Sequence, residues 1–252
     1  MHSLGMGFTV REGVTATVQR AGHLQTIFNS EAFPFSTVIA ALAQITDEPL
    51  RVDLHTELPL SGGFGLSGAS ALAACFAANE LLELGLSRHE LGMAAHVAEV
   101  RNLTGLGDVG GQFNGGCMVK LKSGEPLAAL QLPVPEQDVY YRYFSPILTK
   151  EVIGSPEQAA LINAAADRAL TRLSDLRDAG EAQFAAYIAA AKAFAEDSRL
   201  LRDQKVRDAI AQAESAGGAA SMIMLGNAVF STADFEGATR TRLVKHRVDL
   251  VT

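Results

Sequence analysis

The stretch Pro59-Leu60-Ser61-Gly62-Gly63-Phe64-Gly65-Leu66-Ser67-Gly68-Ala69-Ser70-Ala71-Leu72 constrains this chain more than any other. It is a glycine-and-serine turn that runs into an alanine-rich segment. Gly62, Gly63, Gly65 and Gly68 leave the backbone nearly bare, so successive N–H groups can converge on an anion at the start of a helix. The helix expected from Ala69 to about Leu84 carries Leu72, Cys75, Phe76, Asn79 and Leu82 at roughly helical spacing, and its dipole favours negative charge at the loop. Taken alone, the stretch also fits a flexible turn capped by Ser67 or Ser70. It is not a Walker loop, because no lysine follows the last glycine.

The chain has 252 residues, long enough for one large domain or two small ones. Hydrophobic residues make up 48% and charged residues 19%, which suits a globular protein. With 21 basic residues against 28 acidic ones the net charge is −7, so there is no general attraction to nucleic acid and an anionic ligand needs a local site. Cys75 and Cys117 are far apart, with no CxxC pair, and are read as buried small side chains in a reducing compartment. The apolar runs are too short to cross a bilayer and Met1-His2-Ser3-Leu4 has no signal character, so no membrane association and a cytoplasmic location are expected.

Along the chain, Gly5 to Val10 and Gly13 to Val18 read as two strands of a hairpin turning at Arg11-Glu12-Gly13. Phe35 to Ile45 reads as a short helix and Leu50 to Leu58 as a strand feeding the glycine loop. Ser87 with Glu90 three residues on has the spacing of a capping box, starting a helix that runs to about Val100. A second glycine loop spans Asn102 to Gln112, followed by Asn114-Gly115-Gly116 and a strand from Cys117 to Leu121. Pro133 and Pro135 mark a boundary, giving domains 1–135 and 136–252. In the second domain a strand is expected from Val139 to Leu148. Helices follow at Pro156 to Leu173, Gly180 to Ser198 and Asp203 to Ala216, and Ala220 to Ser231 reads as a turn between helix and strand.

Phosphoryl transfer from ATP to a hydroxyl needs a phosphate cradle, a metal held by hard oxygens, and a group that orients or deprotonates the acceptor. Ser67 at the helix start and Glu99 near the end of the next helix can hold magnesium between them, and Asp108 in the second glycine loop can face the acceptor. Each has a plainer reading: Asp108 as a turn former, and Glu99 as a solvated charge near Arg101. His96, three residues before Glu99, reads as a core or capping histidine rather than a ligand. Lys120 and Lys122 read equally as anion attractors or as a solvated strand end.

Three segments together resemble the GHMP kinase superfamily: Gly63-Phe64-Gly65-Leu66-Ser67-Gly68-Ala69, Ala95-His96-Val97-Ala98-Glu99-Val100 and Thr104-Gly105-Leu106-Gly107-Asp108-Val109. Within it the pattern is most similar to the archaeal pantoate kinases. Gly5-Met6-Gly7-Phe8 with Gly13-Val14-Thr15, and Ser221 to Gly226 with Val229-Phe230, fit as well, so the likeness covers most of the chain. The resemblance implies an α+β, two-domain GHMP kinase fold, with an N-terminal domain like the second domain of ribosomal protein S5 and a ferredoxin-like C-terminal domain. It implies ATP-dependent phosphorylation of pantoate to 4-phosphopantoate in archaeal coenzyme A biosynthesis. The alternatives are a GHMP-type kinase for another small hydroxy acid or alcohol, or a catalytically silent nucleotide-binding relative. By resemblance Gly62, Gly63, Phe64, Gly65, Leu66, Ser67, Gly68 and Ala69 bind ATP, Ser67 and Glu99 hold Mg2+, Asp108 is the base or orienter, and Ser221 to Gly226 supports the loop. The family's first strand, with its Pro-Gly-His type segment, has no counterpart here, and the carboxyl end is expected to lack a final strand. The expectation is an exposed edge that favours a homodimer.

Overall fold

The computed structural model describes residues 3–147 and 156–251. The first half contains β1 (Gly5–Phe8), β2 (Thr15–Arg20), β3 (Gln25–Phe28), β4 (Glu31–Ala32), α1 (Ser36–Leu42), β5 (Leu50–His55), α2 (Leu66–Leu82), α3 (Arg88–Asn102), α4 (Asp108–Asn114), β6 (Cys117–Lys120) and β7 (Leu130–Gln131). The second half contains β8 (Gln137–Pro146), α5 (Pro156–Asp178), α6 (Phe184–Asp197), α7 (Gln204–Ser215), β9 (Ala220–Met222), β10 (Gly226–Ser231) and β11 (Thr239–Leu243). Leu148, the expected end of the strand from Val139, lies outside the described residues, as do Met1, His2 and Thr252.

The period of β5 decides where the first half packs. Leu50, Val52 and Leu54 are buried on one face, while Arg51 and Asp53 pair at 2.7 Å on the other. This strand is central in the order β2-β5-β3-β4, antiparallel to β2 and parallel to β3. Its apolar face meets α2, which is buried on two sides. Ala74 and Ala78 pack with Leu50, Val52 and Leu54, while Ala71, Leu72, Cys75 and Phe76 pack with Leu91, Ala95 and Ala98 of α3. Small side chains on α2 let a sheet and a helix approach it from opposite sides. Both cysteines are free and buried, and burial pushes each thiol up to about 12.

The expected hairpin of β1 and β2 does not form. β1 pairs with β6, and β2 pairs with β5 in another sheet. The reason lies in the residues between them: Thr9 N donates to Gly116 O at 3.0 Å, Arg11 N to Arg242 O at 3.0 Å, and Val10 bridges Leu243. The backbone that would close a hairpin therefore joins β11, and the order β1-β6-β7 is linked edge to edge with the order β11-β8-β10-β9.

Beneath that seam the two halves share one core. Phe8 meets the rings of Phe184 and Phe230 at 5.0 and 5.1 Å, and Cys117 and Val119 pack with Val139, Tyr187, Ile188 and Leu243. The segment from Ala220 to Ser231 is a hairpin of β9 and β10, not a helix-to-strand turn. Leu225 adopts a left-handed φ of 60°, and Gly226 N donates to Ile223 O at 3.1 Å. The helix expected to stop at Leu173 continues to Asp178, where Gly180 with φ 68° ends it, and the next begins at Phe184. No described helix is long and apolar enough to cross a membrane.

Candidate functional site

Gly65, with φ 65°, is the N-cap of α2, and neither Ser67 nor Ser70 caps it: the helix has no side-chain cap hydrogen bond. The first N–H groups of a helix have no intrahelical acceptor, so this end of α2 presents donors to whatever occupies the loop. The loop is fixed from the other half of the chain. Gly63, at φ 82°, has no room for a side chain, because a Cβ there would overlap the Met224 carbonyl oxygen and lie 2.9 Å from Ile223. Phe64 meets Tyr141 of β8 edge to face at 5.1 Å.

Glu99 arrives from α3, which starts with the expected capping box: the Ser87 side chain accepts from Glu90 N, and Glu90 accepts from Ser87 N at 2.8 Å. Nine residues of helix beyond Glu90 set Glu99 in the last turn, 1% exposed. The helix ends in a Schellman motif, with Thr104 N donating to Glu99 O and Leu103 N to Val100 O, and Leu103 is left-handed at φ 55° where glycine is usual. Thr104 Oγ1 donates to Glu99 Oε1 at 2.7 Å.

Asp108 is not in the middle of a loop. It is the first residue of α4, with Gly107 as N-cap. That short helix abuts the start of α2: Gln112 Nε2 donates to Gly65 O at 2.7 Å, and a Cβ on Gly65 would lie 3.0 Å from Asp108 Cβ. Between the carboxylates stands Gly105. A Cβ on it would overlap Glu99 Oε2 and lie 2.6 Å from Asp108 Oδ2, so both oxygens face one notch. Glu99 and Asp108 are thereby brought together, and the Ser67 hydroxyl lies near Glu99; Glu99 is buried and not a solvated charge, and Asp108 begins a helix where a turn former was the plainer reading.

Electrostatics tests whether this notch suits a cation. Glu99 Oε2 is buried and accepts no hydrogen bond. Burial pushes the Glu99 carboxyl up, while the nearby Ser67 and Thr104 hydroxyls draw it down. Asp108 remains exposed to solvent at the start of α4, though protein atoms crowd its carboxyl. Burial, and secondarily the charge of Glu99, push its carboxyl up to about 7. Two carboxylates facing one space repel, and a divalent cation there would satisfy the orphaned oxygen and both charges. The donor set fits magnesium, which takes one or two carboxylates and completes its shell with phosphate and water. Among the described residues there is no cluster of three or more His, Cys, Asp or Glu suited to a metal.

His96 is 4% exposed on α3, as a core residue would be. Lys120 is engaged with its own turn, donating to Pro126 O at 2.8 Å, and so serves the strand end. Sequence reasoning missed Gln112, Thr104 and Thr37, whose Oγ1 lies 3.1 Å from that of Thr104. The only signal was the position of Thr104 and Gln112 within the second glycine loop; Thr37, 67 residues away, gave none.

Comparison with known proteins places these features. The family model for the GHMP kinases N terminal domain matches residues 34–116, which include Ser67, Glu99 and Asp108. A pantoate kinase of Methanospirillum hungatei is 26% identical over 238 residues, spanning 91% of this chain and 78% of that protein. Another, from Methanocaldococcus jannaschii, is 28% identical over 178 residues, spanning 68% of this chain and 64% of that protein. A solved structure titled as a phosphotransferase related to the CoA biosynthesis pathway has the same fold, with a TM-score of 0.82 and 23% identity over 98% of this chain and 88% of that one. The family model therefore covers the segment that carries the loop and both carboxylates, and these pantoate kinases are similar to this chain over most of its length.

Proposed function

We propose that this protein is a magnesium- and ATP-dependent kinase that phosphorylates the primary hydroxyl of pantoate, giving 4-phosphopantoate. The observation that carries the chemistry is the orphaned Glu99 Oε2 facing Asp108 across the Gly105 notch. The choice of acceptor rests on the two pantoate kinases that match most of the chain. We take 1–135 as the ATP-binding domain and 136–252 as its partner domain.

In this reading the backbone N–H groups of Gly62 to Ala69, at the start of α2, cradle the phosphates. Ser67 and Glu99 hold magnesium, which supplies charge neutralisation on the phosphate oxygens when bound. The acceptor oxygen attacks the terminal phosphorus of ATP, the bond to the bridging oxygen breaks, and ADP departs. Asp108 Oδ2 takes the proton that the acceptor hydroxyl loses, and a carboxyl pushed up to about 7 is suited to that exchange near neutral pH. Phosphoryl transfer depends mainly on placement and electrostatics, so the rigid packing of α2 against α4 through Gln112 is part of the machinery.

The test is ADP release with ATP, Mg2+ and pantoate. Turnover that requires pantoate and disappears in Asp108→Asn is expected. Turnover only with another hydroxy acid or alcohol would replace the acceptor, and nucleotide binding without turnover for any acceptor would overturn the reading.

A further inference from the structure

Glu99 has two oxygens with opposite situations. Oε2 is buried and accepts no hydrogen bond, whereas Oε1 accepts from Thr104 Oγ1 at 2.7 Å. A carboxylate only accepts, so the single hydroxyl proton of Thr104 is committed to Glu99. In the contact of 3.1 Å between Thr104 Oγ1 and Thr37 Oγ1, Thr37 is then the donor. The hydroxyls line up in one direction, from Thr37 on α1 through Thr104 to Glu99. Thr37 is 1% exposed, so its proton has little access to water as an alternative acceptor.

The backbone is bent to make this possible. Leu103, half exposed, takes the left-handed conformation that leucine avoids, and the reversal returns the Thr104 hydroxyl to the residue whose carbonyl its own N–H already holds. Local strain beside a buried charged group, and a donor chain that satisfies one oxygen while leaving the other bare, are two separate observations directed at the same carboxylate.

We propose that Thr104, aligned by Thr37, is a positioning residue that fixes the Glu99 carboxylate with Oε1 satisfied inside the protein and Oε2 presented to the cation. Without the relay the carboxylate can rotate about its terminal torsion, which is broad, and either oxygen can turn away from the notch. Hydroxyl partners behind a metal-binding carboxylate are worth roughly ten- to a hundredfold in metal affinity or activity. The inference rests on the kinase reading above.

The experiment measures Mn2+ binding without turnover, by the loss of the free-ion electron paramagnetic resonance signal in the presence of a non-hydrolysable ATP analogue. Thr104→Val is expected to weaken Mn2+ binding about tenfold, and Thr37→Val about threefold, while Thr104→Ser returns to within about twofold of the original protein. In steady state Thr104→Val lowers kcat and leaves the KM for the acceptor unchanged. A folded Thr104→Val that binds Mn2+ as the original protein does, or a Thr104→Ser that recovers nothing, overturns the proposal. Should Thr104→Val fail to fold, the Thr37→Val measurement decides, unchanged binding again overturning it. If the unsubstituted protein binds no Mn2+ with the analogue, the kinase reading itself falls and this inference with it.

Discussion

Gly226, at the start of β10, lies directly on Gly62 of the phosphate loop: a Cβ on Gly226 would overlap the Gly62 carbonyl oxygen and stand 2.9 Å from Gly63 N. A strand of the second half is thus the floor on which the loop of the first half rests, and the contact is backbone on backbone.

Gly226→Ala tests that support. The added methyl meets main-chain atoms that cannot rotate aside, so the loop must move. A loss of about 1–3 kcal/mol in unfolding free energy is expected, as for other overpacked sites, with a rise in the KM for ATP larger than that for the acceptor. Denaturant titration and steady-state kinetics read the two effects.

Gly105→Ala acts on the notch. Its Cβ would occupy the space shared by Glu99 Oε2 and Asp108 Oδ2. We expect kcat to fall roughly a hundredfold or more, with weakened Mn2+ binding, since removing one well-placed electrostatic group commonly has effects of this size. Circular dichroism before and after thermal melting separates the loss from unfolding.

Asp108→Asn should slow turnover by about a thousandfold, within the range for removing a proton acceptor. Its effect on stability has the opposite sign. The folded carboxyl is raised from 3.8 to about 7, so between these values the native state holds a proton that the unfolded chain has lost, and stability falls as pH rises through that window. The asparagine variant escapes this penalty. In metal-free protein it is expected to be more stable by about 1 kcal/mol at pH 8, a figure reduced for the solvent-facing side of Asp108, or about 2–4 °C in Tm. The two proteins should converge near pH 4.

Leu103→Gly tests the strained cap. Glycine accepts the left-handed conformation freely, whereas leucine is strained by about 1–2 kcal/mol, partly offset by the greater freedom of glycine in the unfolded chain. Leu103 is 49% exposed, so little packing is lost. A gain of up to about 1 kcal/mol is expected with Mn2+ binding retained, measured by melting and spin resonance.

Much of this was legible in the residues themselves. The capping box at Ser87, the alternation of Leu50, Val52 and Leu54, and the glycine spacing from Gly62 to Gly68 are local signals, and each places its element within a few residues. What failed was long-range. No local feature tells that Arg11 N bonds Arg242 O instead of closing a hairpin, or that Leu225 can take a left-handed turn inside an apolar run. In the site, the three residues expected by resemblance converge. The partner that aligns Thr104 comes from α1, and a hydroxyl on a short helix has no distinguishing pattern in sequence.

The bridge between Val10 and Leu243 and the aromatic cluster of Phe8, Phe184 and Phe230 bind both halves into a common interior. A molecule stitched in this way should melt as a single cooperative unit, with calorimetric and van't Hoff enthalpies in agreement, and neither half expressed by itself should reach a native state. A hinge between the halves would have to tear that seam apart, so substrate entry should leave their mutual orientation unchanged.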